Sequence, residues 1–451
     1  MPAVEDLSSF DRDVACGATA LSEWRADVAR EPDEYGDSDP LAIVRHVAGR
    51  SAWEALIALA PSAHESPLRA ALLPWVYALT QARIAGRDDV ALARAEAEAN
   101  ASVQGARPQQ VNWREAWRGV AASAAPALAR RWLDAAAESA PKLADIARSR
   151  AARRVEVARR LGLEHVWEPL VAVAPSVLSA LALRFLDATE DLSSAILRGL
   201  DADGAGAAAV VHTCVGRDAA EGWPARLTAR WVDETFPEAA RTLRLKLPQL
   251  PVALGAASFA RALCAFGFQV RVGASPSSMP FALAREPAFT AAHRMGFVFG
   301  ALAADPGWQL RALGIGRRAA VAQARILART ALIEARSHAV RLLLGDDAAF
   351  APRDRFEELG TRLLGAPLDP RFRGAWPRAR DDEPARFLAL LEAETMLASL
   401  RERFDVDWFR NPRAWSAFSA CGAGPAREPV DGSALGGKVD SLARAFESSL
   451  G

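Results

Sequence analysis

The sequence predicts a mostly α-helical protein with one large continuous core and room for one small β-sheet. Three observations lead there. Ala, Leu, Arg and Glu, all strong helix formers, are abundant among the 451 residues, and Gly and Pro fall mainly between periodic segments. From Arg317 to Leu344 neither Gly nor Pro occurs, while Ile326, Ile333 and Val340 recur along one helical face. No signature repeats at a period of roughly 30–45 residues, which counts against a solenoid.

Taken in order, residues 1–37 read as a polar arm with one short helix near Ala20–Ala29. Helical segments follow at about 40–60, 67–85, 89–101, 113–138 and 141–162. Their breaks are expected at Pro61, Pro67, the Gly86-Arg87-Asp88 turn, the Gly105–Pro108 loop and Pro141. A second block starts near Trp167 with a helix at about 175–199, then a Gly-containing turn over Asp201–Gly204. Residues 207–214 fit a short strand or a helix. Phe268, Val270 and Val272 alternate with Gln269 and Arg271, the clearest strand pattern in the chain. Gly273–Pro280 reads as a loop, and the helical pattern resumes near Phe289. Arg317–Leu344 is apolar on several sides, as an internal helix is. Helices at 353–365 and 382–404 precede a turn over Asp405–Pro412, a Gly/Pro-rich stretch at 422–437 and a short terminal helix. This gives an arm (1–37), one large domain (38–421, with parts 38–165 and 166–421) and a tail (422–451).

Composition narrows the function classes. Lys plus Arg equals Asp plus Glu, 55 each, so no global field draws nucleic acid or an anionic membrane to the surface. Acids at Glu5, Asp6, Asp11 and Asp13 are not those of a signal peptide. The longest uncharged apolar run, Pro169–Leu183, is shorter than the ~20 residues that span a bilayer. Cys16, Cys214, Cys264 and Cys421 form no C-x-x-C pair, which excludes a zinc ribbon or redox motif and fits a reducing, cytoplasmic setting. Lys occurs only at Lys142, Lys246 and Lys438; such Arg usage reads as that of a GC-rich bacterial genome and discounts Arg clusters as signals.

The residues most suggestive of chemistry are His293-Arg294-Met295-Gly296-Phe297. A zinc-peptidase helix of the H-E-x-G-H type needs two His four apart, so that both imidazoles reach one metal, with Glu between them to activate water. Here Arg294 stands at the base position and Phe297 at the second ligand position. On its own terms, His293 reads first as a packed or hydrogen-bonded helix histidine and only second as a metal ligand.

Upstream, residues 153–163 read Arg-Arg-Val-Glu-Val-Ala-Arg-Arg-Leu-Gly-Leu. This resembles the R-x-x-L-A-x-x-L-G-Y segment of M3-type, thimet-oligopeptidase-like gluzincin metallopeptidases, with Leu163 in place of the Tyr. In that family the segment also precedes the zinc helix. A long helix follows with the third ligand, and a helical bundle closes the chain. The resemblance implies a large helical peptidase-like architecture in which residues 166–421 are a degenerate zinc-peptidase part. It also implies a peptide groove holding His293, Arg294, Glu334 and His338. Glu334 lies farther from the zinc-like helix than the family's third ligand. No Tyr or His follows His338 to match the family's late substrate-steadying residues.

Glu334 and His338 share a helix face at i, i+4, with Arg341 beyond. They read as a polar ladder between helices, as a metal pair completed by His293, or as the acid that pairs with Arg294 where relatives hold zinc. Other candidates have plainer readings. His212 and Cys214, near Asp218, read as structural; His46 and His64 lack ligand-spaced partners. The arginines of Arg148–Arg160 read as a solvated face. Gly314-Ile315-Gly316 starts a helix. Asp405–Arg413 anchors the last bundle helix, or presents a binding edge through its Trp and Arg residues.

The leading expectation is a catalytically inert peptidase-like protein, without catalytic residues or cofactor, that binds a peptide or protein partner. One alternative is a metal-dependent peptide hydrolase with zinc (Zn) on His293, Glu334 and His338. Another is an unrelated helical-repeat interaction protein. Neither nucleic acid nor membrane is expected as a partner.

Overall fold

The computed structural model describes residues 6–34, 39–60, 62, 65–104, 108–200, 205–215, 222–224, 227–242, 255–276, 278–345, 351–420 and 432–450. The first half contains α1 (Leu7–Arg30), α2 (Arg50–Ala58), α3 (Ser66–Glu98), strands β1 (Ala101–Val103) and β2 (Gln109–Val111), α4 (Trp113–Ala122), α5 (Pro126–Arg160), α6 (Pro175–Ala188), α7 (Glu190–Leu200) and α8 (Ala207–Val215). Then come α9 (Ala229–Thr235), α10 (Pro237–Thr242), α11 (Ala256–Gly273), α12 (Phe281–Ala284), α13 (Thr290–Leu302), α14 (Pro306–Leu313) and α15 (Arg317–Leu344). The chain closes with α16 (Arg353–Leu364), α17 (Glu383–Phe404), α18 (Pro412–Ala420) and α19 (Gly432–Leu450). β1 and β2 form an antiparallel pair with Ala101 opposite Val111 and Val103 opposite Gln109. Among the described residues no helix is long and apolar enough to cross a membrane.

Side chains gather into two cores. The larger is built from α1 to α8 with parts of α15, α16, α17 and α19, and buries Val14, Leu72, Tyr77, Leu178 and Phe185. The smaller is aromatic. Phe236, Phe259, Phe266, Phe299, Trp308, Trp408 and Trp415 fill it, drawn from α11, α13, α14, α18 and their connections. Phe236 stacks on Phe266 at 5.1 Å, and Phe299 meets Phe266 edge-on at 5.3 Å.

The close crossing of α11 and α13 brings the site together. Glycines permit it. A Cβ on Gly296 would stand 2.8 Å from the Cys264 carbonyl oxygen, one on Gly300 would strike the Cys264 sulfur at 2.2 Å, and one on Gly267 would meet the Met295 carbonyl oxygen at 2.6 Å. Gly296, the residue kept from the H-E-x-G-H pattern, thus has a packing reason to be Gly.

Several boundaries differ from those expected. The stretch read as a polar arm holds α1, whose Leu7, Phe10, Val14, Leu21, Trp24 and Val28 enter the large core. Charged residues are interspersed among them and masked the period; one of these, Asp11, is itself buried and accepts from the Phe281 and Ala282 amides of α12. α3 runs through Pro74 and the expected turn at Gly86-Arg87-Asp88. α5 runs through Pro141, and its separation from α4 falls at Ser123–Ala125 instead. The long helix expected at 175–199 is two, α6 and α7. Residues 207–214 are helical, and the strand expected over Phe268–Val272 is the end of α11. There the buried series Phe259, Ala262, Leu263, Phe266 and Val270 has helical spacing, and five residues were too short a window to reveal it. The terminal helix is 19 residues long and packs Leu435, Val439 and Leu442 into the large core. Arg317–Leu344 is helical over the whole expected span, and Trp408 and Phe409 bury completely, anchoring the chain after α17. His64, Asp218, Cys421 and the Asp201–Gly204 turn lie outside the described residues.

Candidate functional site

α8, α11, α13, α15, α16 and the start of α17 surround a cavity of about 690 Å³ between the two cores. His293, Glu334 and His338 all line it. Arg294, one residue on from His293, instead lines a separate cavity of about 450 Å³ beside Arg285 and Phe289.

α13 points His293 inward, where it is 9% exposed. Its Nε2 lies 2.9 Å from Oδ2 of Asp382, and Oδ1 of the same carboxylate accepts a hydrogen bond from Arg386 Nε at 2.9 Å. Burial holds the imidazole below its ordinary pKa, and the Arg386 charge adds to this against the pull of Asp382. Burial alone would raise Asp382, but the hydrogen bonds from His293 and Arg386 reverse that and hold its carboxyl well below the usual range. The His293 ring also packs on Phe268 at 5.1 Å.

α15 presents the other two. His338 bonds through Nδ1 to Glu383 Oε1, and Glu383 is fully buried. Burial opposes the Glu383 charge, yet His338, Arg341 and Arg380 together keep the carboxyl below its ordinary range. The expected pairing of Glu334 with Arg294 does not occur. Glu334 takes its cation from α11: Arg261 Nε donates to Glu334 Oε1 at 2.9 Å, while the same guanidinium also holds the Cys214 carbonyl. Arg294 donates to Glu392 of α17 at 2.9 Å, and Lys438 of α19 reaches the same carboxylate at 3.4 Å. Consecutive residues on a helix point about 100° apart, and here His293 and Arg294 line different cavities.

Phe297 sits where a second zinc ligand would be and meets the His338 ring edge-on at 5.8 Å. A carboxylate on one imidazole nitrogen is compatible with a metal on the other. The decisive feature is convergence. Zinc needs three or more donors about one point, and among the described residues no three His, Cys, Asp or Glu side chains gather in that way. With Glu334 neutralised by Arg261, the set His293, Glu334 and His338 does not fit zinc.

Cys214 and Cys264 also line the cavity, but burial pushes each thiol up to about 12, so neither is a thiolate near neutral pH. His212 bonds to the Ser123 carbonyl at 3.0 Å, a structural tie. His46 does have an acidic neighbour, Asp13 at 2.9 Å, on the exposed surface. The Arg148–Arg160 series is only partly a solvated face. Arg150 and Arg154 turn inward to Asp381 at 2.8 and 2.9 Å, whereas Arg159 and Arg160 pair locally with Glu156.

Sequence reasoning missed Asp382, Glu383, Arg261, Arg380 and Arg386. One local sign was present: Asp381-Asp382-Glu383 immediately before Pro384 is an acidic run at a helix start, where carboxylates are favoured. Arg261 carried no such sign, because its partner is reached only through tertiary packing.

No family model matches the sequence, and no curated protein matches it. Among solved structures the chain is similar to PZ peptidase A with inhibitor 2, at a TM-score of 0.54 and 10% identity, over 99% of this chain and 97% of that one. At that identity the likeness establishes the fold: a large, helical, peptidase-like architecture along the whole chain. The helical-repeat alternative is set aside by it.

Proposed function

We propose that this protein is a non-hydrolytic relative of the M3-type peptidases, which uses a retained cavity to bind peptide or an extended protein segment. The observation that carries this reading is the state of Glu334, His293 and His338. Each faces the cavity, and each is engaged by a counter-group: Arg261, Asp382 and Glu383 respectively. Glu334 neutralised by a guanidinium is a poor metal ligand, and Arg294 and Phe297 supply neither base nor donor. The full-length likeness to a peptidase supports an inherited cavity, and its volume is that of a ligand site, typically about 300–1,000 Å³. The free thiols Cys16, Cys214 and Cys264 favour a reducing, cytoplasmic setting.

The test is metal content of the purified protein, with hydrolysis of a peptide pool followed with and without a chelator. The expected result is substoichiometric zinc, no chelator-sensitive cleavage, and measurable peptide retention. Stoichiometric zinc together with chelator-sensitive cleavage overturns the reading.

A further inference from the structure

Four polar side chains on the cavity wall are unspent. Arg341 and Arg380 line it, and among the described residues neither guanidinium makes a hydrogen bond or ion pair. Gln269 and Ser337 line it too, also with no side-chain hydrogen bond among the described residues. By contrast, the other two cavity arginines are taken: Arg261 by Glu334 and Arg386 by Asp382. Ser337 and Arg341 lie at i, i+4 on α15, so one face of that helix offers both. Arg380 arrives from the segment leading into α17, and burial first, then the charges of Arg341 and Arg386, hold its pKa below the ordinary value. The nearest carboxylates, Glu383 and Asp382, temper these charges but are hydrogen-bonded to His338, His293 and Arg386, which leaves the two guanidinium forks themselves open to an anion.

The remaining wall selects which anion. Trp117, Trp376, Phe268, Phe289 and Phe297 give part of the lining an aromatic face, suited to an apolar body rather than a bare hydrated ion. Gln269 both donates and accepts, as a peptide bond does. Arginine forks match a carboxylate with two parallel hydrogen bonds. We propose that Arg341 and Arg380 bind the C-terminal carboxylate of a peptide whose last residues lie against the aromatic wall and Gln269. This rests on the reading of the cavity as a peptide site and specifies which end of the peptide enters.

The experiment uses the full-length protein and two random hexapeptide pools, identical except that one ends in a free carboxylate and the other in an amide. Retention is measured by equilibrium dialysis and mass spectrometry. The carboxylate pool should be held about tenfold more tightly, the worth of a charge-assisted pair. Arg380→Gln and Arg341→Gln should each remove most of that advantage, weakening carboxylate-pool retention far more than amide-pool retention. Should R341Q fail to fold, R380Q at the water-reached position decides alone. Equal retention of the pools, retention of neither, or an advantage that survives in R380Q overturns the proposal. Stabilisation by inorganic phosphate without carboxylate-pool retention also overturns it, in favour of a free anion. The same dialysis reads cleavage separately. Cleaved peptides with the carboxylate preference intact refute the non-hydrolytic reading and leave this site standing; intact peptides with no preference do the reverse.

Discussion

His293 shows how burial sets the behaviour of one side chain. It is desolvated, so its folded-state pKa lies below the ordinary 6.5. The unfolded chain then binds the proton first, and stability present above pH 6.5 is lost as pH falls through the folded value. The depressed Asp382 acts in the same direction at lower pH, since its folding contribution disappears as the carboxylate protonates. Urea midpoints taken between pH 7.5 and 5 should fall for the wild type, and His293→Gln should flatten that fall. An equal slope in both proteins would mean that His293 is not desolvated in solution. None of this was legible in the sequence. The spacing identified His293, but Asp382 lies 89 residues away and only packing brings it near.

At the level of elements, the α11–α13 crossing is the tightest-fitting part of the site. Gly300→Ala would place a methyl on the Cys264 sulfur, and Gly296→Ala would place one on the Cys264 backbone. Overpacking of this kind typically costs about 1–3 kcal/mol. Only the first clash involves a removable side chain. Cys264→Ala should therefore rescue Gly300→Ala in a double-mutant cycle and leave Gly296→Ala unrescued, read from denaturant midpoints. Rescue of both would show that the two backbones can part. Elements also show where sequence patterns fail. α15 was legible because no Gly or Pro interrupts a 28-residue apolar period. α3 and α5 were not, because Gly86-Arg87-Asp88 and Pro141 read as breaks, although tertiary packing carries each helix through.

Across the molecule, arginines differ sharply in what they hold. Arg336 is fully buried on α15 and ties together α6, α7 and α16. It donates to the Leu186 carbonyl at 2.9 Å, Thr189 at 2.7 Å, Glu190 at 2.8 Å and the Arg362 carbonyl at 2.7 Å. Arg261 and Glu334 are each 40% exposed. Arg336→Met should cost about 3 kcal/mol or more, because the Leu186 and Arg362 carbonyls and the Thr189 hydroxyl lose a buried charged donor, while the half-exposed Glu190 keeps Arg362. Arg261→Met should cost no more than about 1 kcal/mol, the upper range for a solvent-screened pair. Equal losses in chemical denaturation would contradict the burial of one or the other. The overall architecture was readable from composition and from a few motifs in order. The two-core arrangement was not, since it depends on which aromatic side chains meet across the chain.

The acidic run at the start of α17 constrains motion as well as charge. Asp381 is held by Arg150 and Arg154 of α5, Asp382 by His293 of α13, and Glu383 by His338 of α15. Three adjacent side chains thus moor one turn of backbone to three separate helices. Rotating or withdrawing that turn would break at least one mooring, so this wall is a fixed post. Any widening of the cavity falls instead to lining residues such as Trp117, Leu363 and Leu364, which contribute packing but no ion pair.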